Sequence, residues 1–282
     1  MTSDSSFICR APRDVAGWVA AVESREIPVF ESTAAAITEA GAVEDATDAH
    51  GVAELLSDDP LMTLKLLRHV AEMRRGREGT DIETVTGALV MMGIPPFFRV
   101  FTDQTTVQTR LADWPDALAG LEAVRQRAHR AARFALGFAV HRMDHDAAVI
   151  HEAALLHDFA EMLLWVDAPV LALDIAQRQA DRPQLRSAAV QLDVLNLTLP
   201  ELQQALMKRW RLPDLLVHIT DDHASPSPQV RNVQLAIRVA RHSAHGWDNP
   251  ALPDDVDDIA ALLNLGTVPT LQLLHELDGA IG

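Results

Sequence analysis

The chain has 282 residues, room for one large or two small domains with a full core. Hydrophobic residues make up 48% and charged residues 23%, an ordinary globular balance, while the formal net charge of −16 opposes binding to a phosphate backbone. The lone cysteine, Cys9, excludes an intramolecular disulfide and a cysteine-based zinc cluster.

No apolar run approaches the ~18–20 residues that cross a bilayer. The opening residues MTSDSSFICRAPRD lack the basic and apolar regions of a signal peptide. The expectation is a cytoplasmic protein with neither nucleic acid nor membrane as partner. Arg74, Arg75 and Arg77, and the stretch RQRAHRAAR at 125–133, read as solvated helix faces in so acidic a chain.

Helical periodicity recurs from end to end, and no stretch alternates over a strand's length apart from short ambiguous pieces. Val15, Trp18, Val19 and Val22 predict a short amphipathic helix, which IPVF at 27–30 breaks. A second helix is expected over roughly 32–41. In SDDPLMTLKLLRHVAEMRRG, Asp59 is the N-cap, Pro60 suits the first turn and Gly76 is the stop. TDIETV opens a helix through Met92 that ends at GIPP. The stretch at 103–116 reads as a linker.

A long helix is expected from Asp116 to about Met143, then one continuous helix through EAALLHDFAEMLLW at 152–165, then one over DAPVLALDIAQRQA. Thr198 and Glu201 form a capping box for LQQALMKRW. LPDLLVHITDDH is a further helix, closed by SPSP. VQLAIRVARHSAHG at 233–246 is helical, and an acidic loop at 254–258 precedes two last helices. The fold class is all-α.

The chemistry-bearing residues are histidines and carboxylates, the ligands that Mn, Fe, Zn or Mg sites use when cysteine is absent. His129 sits on the long helix, His157 and Asp158 form an adjacent doublet, and Asp222 and His223 close a later helix. His242 and His245 follow near the C-terminus. In a bundle such ligands come from several inward-facing helices, so wide spacing is no obstacle. Neighbours on one helix diverge by ~100°, so the doublet serves one ion only at a helix flank facing a cleft. The bland reading is that His157 with Glu161, and His218 with Asp222, simply pair at i, i+4. Spacing alone leaves both readings open.

Five stretches carry a family resemblance: IPVFESTAAAI, AELLSDDPLMTLKLLRHV, TDIETVTGALVMMG, HEAALLHDFAEMLL and KRWRLPDLLVHITDDH. In this order they resemble the HDOD domain, the HD-related output domain of bacterial signalling proteins. The resemblance implies an HD-like helical domain related to metal phosphohydrolases, with an N-terminal helical lobe. Residues 1–26 would be a helical extension, 27–112 the N-terminal lobe and 113–282 the HD-like lobe.

By the same resemblance His129 matches the first metal-binding His and His157–Asp158 the doublet. The final Asp should fall near Arg238 to Arg241, where no carboxylate stands, and Arg241 would occupy its place. The expected His pair after the Leu-Pro helix is Asp222–His223, from which Asp222 could substitute as a ligand.

The expectation is therefore a regulatory protein without catalysis, acting on a protein partner or a small ligand. No cofactor is expected or, if any, a divalent Mn, Fe, Zn or Mg. The alternatives are a divalent-metal phosphohydrolase acting on a nucleotide or cyclic nucleotide, and a sensor whose cleft binds an anion through Arg241 and His223.

Overall fold

Side-chain caps at Asp14, Asp48, Asp59, Thr84, Thr106 and Ser227 mark six of the helix starts. The computed structural model describes residues 7–43, 47–75, 82–182, 184–225 and 227–279. The described residues form helices and no strand, with one isolated parallel bridge between Val29 and Thr106. The fold is all-α.

The order begins α1 (Val15–Glu23), α2 (Glu31–Gly41), α3 (Ala49–Leu56), α4 (Pro60–Met73), α5 (Val85–Met92) and α6 (Ile94–Phe101). It continues with α7 (Val107–Arg110), α8 (Pro115–His141), α9 (Ala147–Leu156), α10 (Phe159–Asp167), α11 (Pro169–Asp181) and α12 (Ser187–Leu195). It closes with α13 (Leu199–Trp210), α14 (Asp214–Ile219), α15 (Pro228–His242), α16 (Leu252–Leu263) and α17 (Thr267–Gly279).

These helices group into two units, residues 1–124 with 158–212 and residues 125–157 with 213–282. The chain passes between them within α8, between His157 and Asp158, and after Leu212. The first unit takes 113–124 and 158–212 from beyond the 112/113 boundary that the resemblance suggests, while the second unit lies wholly beyond it.

The first unit is organised by buried polar groups that find their partners. Asp14 caps α1 by accepting from the Gly17 amide at 2.8 Å, and α1 buries Trp18 and Val22. The Trp18 indole donates to the Leu195 carbonyl at 2.8 Å, and α1 packs on α13. The described part of the N-terminal extension is thus built into the first unit.

The segment 27–30 is extended, with the Val29 amide donating to the Thr105 carbonyl and the Val107 amide donating to the Val29 carbonyl. Asp59, fully buried, joins this segment to α4. Its Oδ1 accepts from the Met62 amide at 2.9 Å and its Oδ2 from the Phe30 amide at 2.7 Å. Asp167 is also buried, 2.8 Å from an Arg110 guanidinium nitrogen and 3.8 Å from Arg25. Burial raises its pKa from 3.8 to about 6, against the opposing pull of Arg110 and Arg25.

Several sequence expectations are met closely. Asp59 and Pro60 start α4, and Thr198 with Glu201 forms a true capping box on α13. Others are corrected. The stretch 103–116 is no bare linker: it holds α7 and buries Val107 and Leu111 completely. The prolines of GIPP begin α6 as well as ending α5, since proline fits the first helical turn.

The acidic stretch 254–258 is not a loop but part of α16, where carboxylates in the first turn favour the positive end of the helix dipole. The helix of LPDLLVHITDDH is shorter than expected, ending at Ile219. Gly76, Thr80 and Asp81, read as stop and start signals, lie outside the described residues; α4 ends at Met73 and Thr84 caps α5.

Replacing Asp59 with Ala leaves two buried amides without acceptors, and should lower the unfolding free energy by about 2–4 kcal/mol. Urea denaturation would measure the loss. Asp167 gives a pH signature. Its folded pKa lies above the ordinary value, so its contribution to stability is complete below pH 3.8 and is lost as the pH rises through about 6. Denaturant midpoints measured at intervals across this window should fall less steeply with pH for Asp167→Asn than for the parent chain.

Candidate functional site

The His157–Asp158 doublet lies at a break between helices, which corrects the expectation of one continuous helix through 152–165. α9 ends at Leu156, His157 is its C-cap with φ −58° and ψ −33°, and Asp158 turns out at φ −108° and ψ 21° before α10 begins. Neither residue is glycine or proline. Both are buried, at 6% and 8% exposure. The doublet is divided between the units, His157 to the second and Asp158 to the first.

In the second unit, α9 packs on α14 and α15. Asp222, just beyond the end of α14, places its Oδ1 3.2 Å from His157 Nε2. The imidazole N–H donates to the carboxylate in this pair. Asp222 is 40% exposed, so the bond runs from a buried ring to the surface. The Asp222 carbonyl accepts from Gln234 Nε2 at 3.1 Å, fixing the turn against α15. The neighbouring His223 is exposed, and its amide donates to Asp221 Oδ1 at 2.9 Å.

His129 projects from α8, with its Nε2 shielded from solvent. His151 on α9 has a lowered pKa, first because burial disfavours its charged form and then because His129 opposes a second positive charge nearby. The structure therefore sets His129 close to His151, a residue that the sequence reading missed. His151 stands in the apolar run VIHEAALL, where an ionisable pair interrupting buried positions was the available signal.

α15 contributes no carboxylate. The one polar side chain it buries is Asn232, at 0% exposure, whose amide oxygen and nitrogen have no hydrogen-bond partner among the described residues. Arg241 is exposed in the last turn of this helix. Arg238 pairs with Asp255 at 2.6 Å and Asp258 at 2.8 Å, while His242 Nδ1 lies 2.5 Å from Asp255. The basic end of α15 is thus engaged by the acidic start of α16.

A divalent ion needs three or more protein donors converging on one point. Among the described residues no group of three or more His, Cys, Asp or Glu side chains is placed to hold one. Of the candidates, the structure brings His157 and Asp222 into contact, while His129 is set near His151. His223 and Arg241 remain at the surface.

The sequence matches the family model of the HDOD domain over residues 27–226, well over half of the chain. The chain belongs to the HDOD family. Its fold is similar to that of the MmoQ response regulator from Methylococcus capsulatus str. Bath, at 20% identity and a TM-score of 0.67, over 88% of this chain and 98% of that one. It is similar too to a virulence factor from Campylobacter jejuni subsp. jejuni, at 18% identity and a TM-score of 0.61, over 99% and 95% of the two chains. At such identities the likeness establishes the fold. A search of curated proteins gives no match. The HDOD match ends two residues before α15 begins, so the helix carrying Asn232 and Arg241 lies beyond it. No described helix of this HDOD protein is long and apolar enough to cross a membrane.

If the His157–Asp222 bond ties the turn after α14 to the break after α9, then Asp222→Ala should cost about 1 kcal/mol, as befits a half-exposed partner. His157→Ala should cost about 2–3 kcal/mol, because it also empties a buried position. A double-mutant cycle in urea should show the two losses to be non-additive. Strict additivity would mean that the pair does not act as a unit.

Proposed function

We propose that this protein is a non-catalytic regulatory HDOD module, acting by binding a protein partner or a small ligand. The observation that carries this reading is the composition of the second unit's polar site. His157 and Asp222 meet there, and α15, where the resemblance expects the final Asp, contains no carboxylate. A phosphohydrolase relies on its metal to lower the pKa of bound water and to clamp the phosphoryl oxygens. Two donors hold such an ion poorly against water.

A protein partner is favoured by a feature of α8. Leu136 and Val140, at 37% and 62% exposure, stand at i and i+4 near its end, and Met143, 84% exposed, follows in the turn just beyond it. Exposed apolar side chains gathered in this way suit contact with another protein. The similarity to a response regulator also supports a role in signalling.

The test is the metal content of protein purified without chelator or metal-affinity resin, read by elemental mass spectrometry for the parent chain and for His157→Ala. The expected result is Mn, Fe, Zn and Mg well below one equivalent in both. Near-stoichiometric metal that disappears in His157→Ala would overturn the reading, and would restore the phosphohydrolase acting on a nucleotide or cyclic nucleotide.

A further inference from the structure

The first unit contains a cavity of about 130 Å³, lined among others by Arg68, Glu72, Arg75, Arg209, Trp210 and Arg211. Its charge runs against that of the chain, which carries −16 overall. Arg209 is neutralised, with its Nε 2.9 and 3.0 Å from the two carboxylate oxygens of Glu23. No carboxylate among the described residues forms an ion pair with Arg68, Arg75 or Arg211. Three guanidinium groups thus face one remaining acid, Glu72, a balance suited to a doubly charged anion.

Two further features point the same way. Trp210 is 6% exposed, and its indole N–H is buried without an acceptor. The Arg68 guanidinium lies 4.7 Å above the Trp210 ring centroid, a stacking that leaves its in-plane N–H groups able to donate. Arg211 adopts φ 55° and ψ 43°, the left-handed conformation that glycine favours at helix ends. The turn is a Schellman closure, with the Leu212 amide donating to the Met207 carbonyl at 3.0 Å. Glycine would make it with less strain, yet a charged side chain stands there and lines the cavity.

We propose that this cavity binds a phosphate group. The ionised oxygens of a phosphate accept hydrogen bonds, and the three guanidiniums around the cavity only donate them. The volume admits a phosphoryl head but not a whole nucleotide, so the ligand is either free phosphate or the phosphate of a larger molecule whose remainder stays outside. This site is separate from the His157–Asp222 pair and does not rest on the reading of that pair.

The Trp210 indole N–H is its own reporter. In a nitrogen-15 correlation spectrum of the full chain, its resonance is identified by its loss in Trp210→Phe. The parent chain would be titrated at constant ionic strength with inorganic phosphate, and separately with adenosine monophosphate. The expected result is a saturable shift of that resonance. Its apparent Kd should rise about tenfold or more in Arg75→Gln and in Arg211→Gly, which keeps the turn. It should be unchanged in Arg231→Gln, an exposed position on α15. Tighter binding of inorganic phosphate assigns the cavity to the free ion, and tighter binding of the mononucleotide assigns it to a phosphate carried on a larger ligand. No saturable shift with either probe, or equal Kd values in the parent chain and the two cavity variants, would overturn the proposal.

Discussion

A carboxylate shut away from water has to be met by donors, and at Asp59 that requirement organises the first unit. The side chain caps α4 and, with its other oxygen, holds the Phe30 amide, so an extended segment is pinned to a helix start. Next to it, the backbone of Val29 pairs with that of Thr105 and Val107. Lys65, one turn into α4, reaches both Glu26 and Gln104. Three stretches distant in sequence are thus joined by hydrogen bonds around one buried acid. Apolar burial supplies the bulk of the stability, but it is non-directional, and these bonds set which residue meets which.

The second unit shows the same economy applied to histidine. An imidazole buried at a helix break has two nitrogens to satisfy, and His157 directs its Nε2 outward to Asp222. A metal centre needs further donors beside two such side chains. α15 supplies valine, leucine, alanine and isoleucine to the interior, with Asn232 as its one buried polar group. Whether such a pair does chemistry is decided by the surrounding ligand set more than by the doublet itself.

Much of this architecture was legible in the sequence, because the strongest start signals act locally. Asp59-Pro60 and Thr198 with Glu201 carry their own hydrogen-bond partners within three residues, so reading them needs no knowledge of the fold. The break at His157 was not legible for the opposite reason. Nothing in LLHDFAEM interrupts helical propensity, and the two halves part because their apolar faces belong to different units. The acidic stretch at 254–258 misled by composition, since carboxylates that suit a loop suit a helix N-terminus equally well. Of the candidate site, the His157–Asp222 contact joins residues 65 positions apart, and Asn232 became visible only through burial. Arg75 is exposed, as its reading as a solvated charge implies, and the sequence does not show that Arg211 and Trp210 line the same cavity.

The interleaving of the two units has a consequence for how the chain is made and dissected. Neither unit is one contiguous stretch, so no single cut releases either of them alone. During synthesis, residues 125–157 emerge before the first unit has received its last segment, and they wait for 213–282 to complete the second. That waiting segment carries Phe134, Phe138 and Ile150, each buried in the finished fold. For the interval in which the ribosome adds more than a hundred residues, at roughly 5–20 per second, this apolar surface has no permanent cover. A fragment ending at Leu212 would carry the same exposed segment indefinitely, and would be prone to aggregate however well its first unit folded.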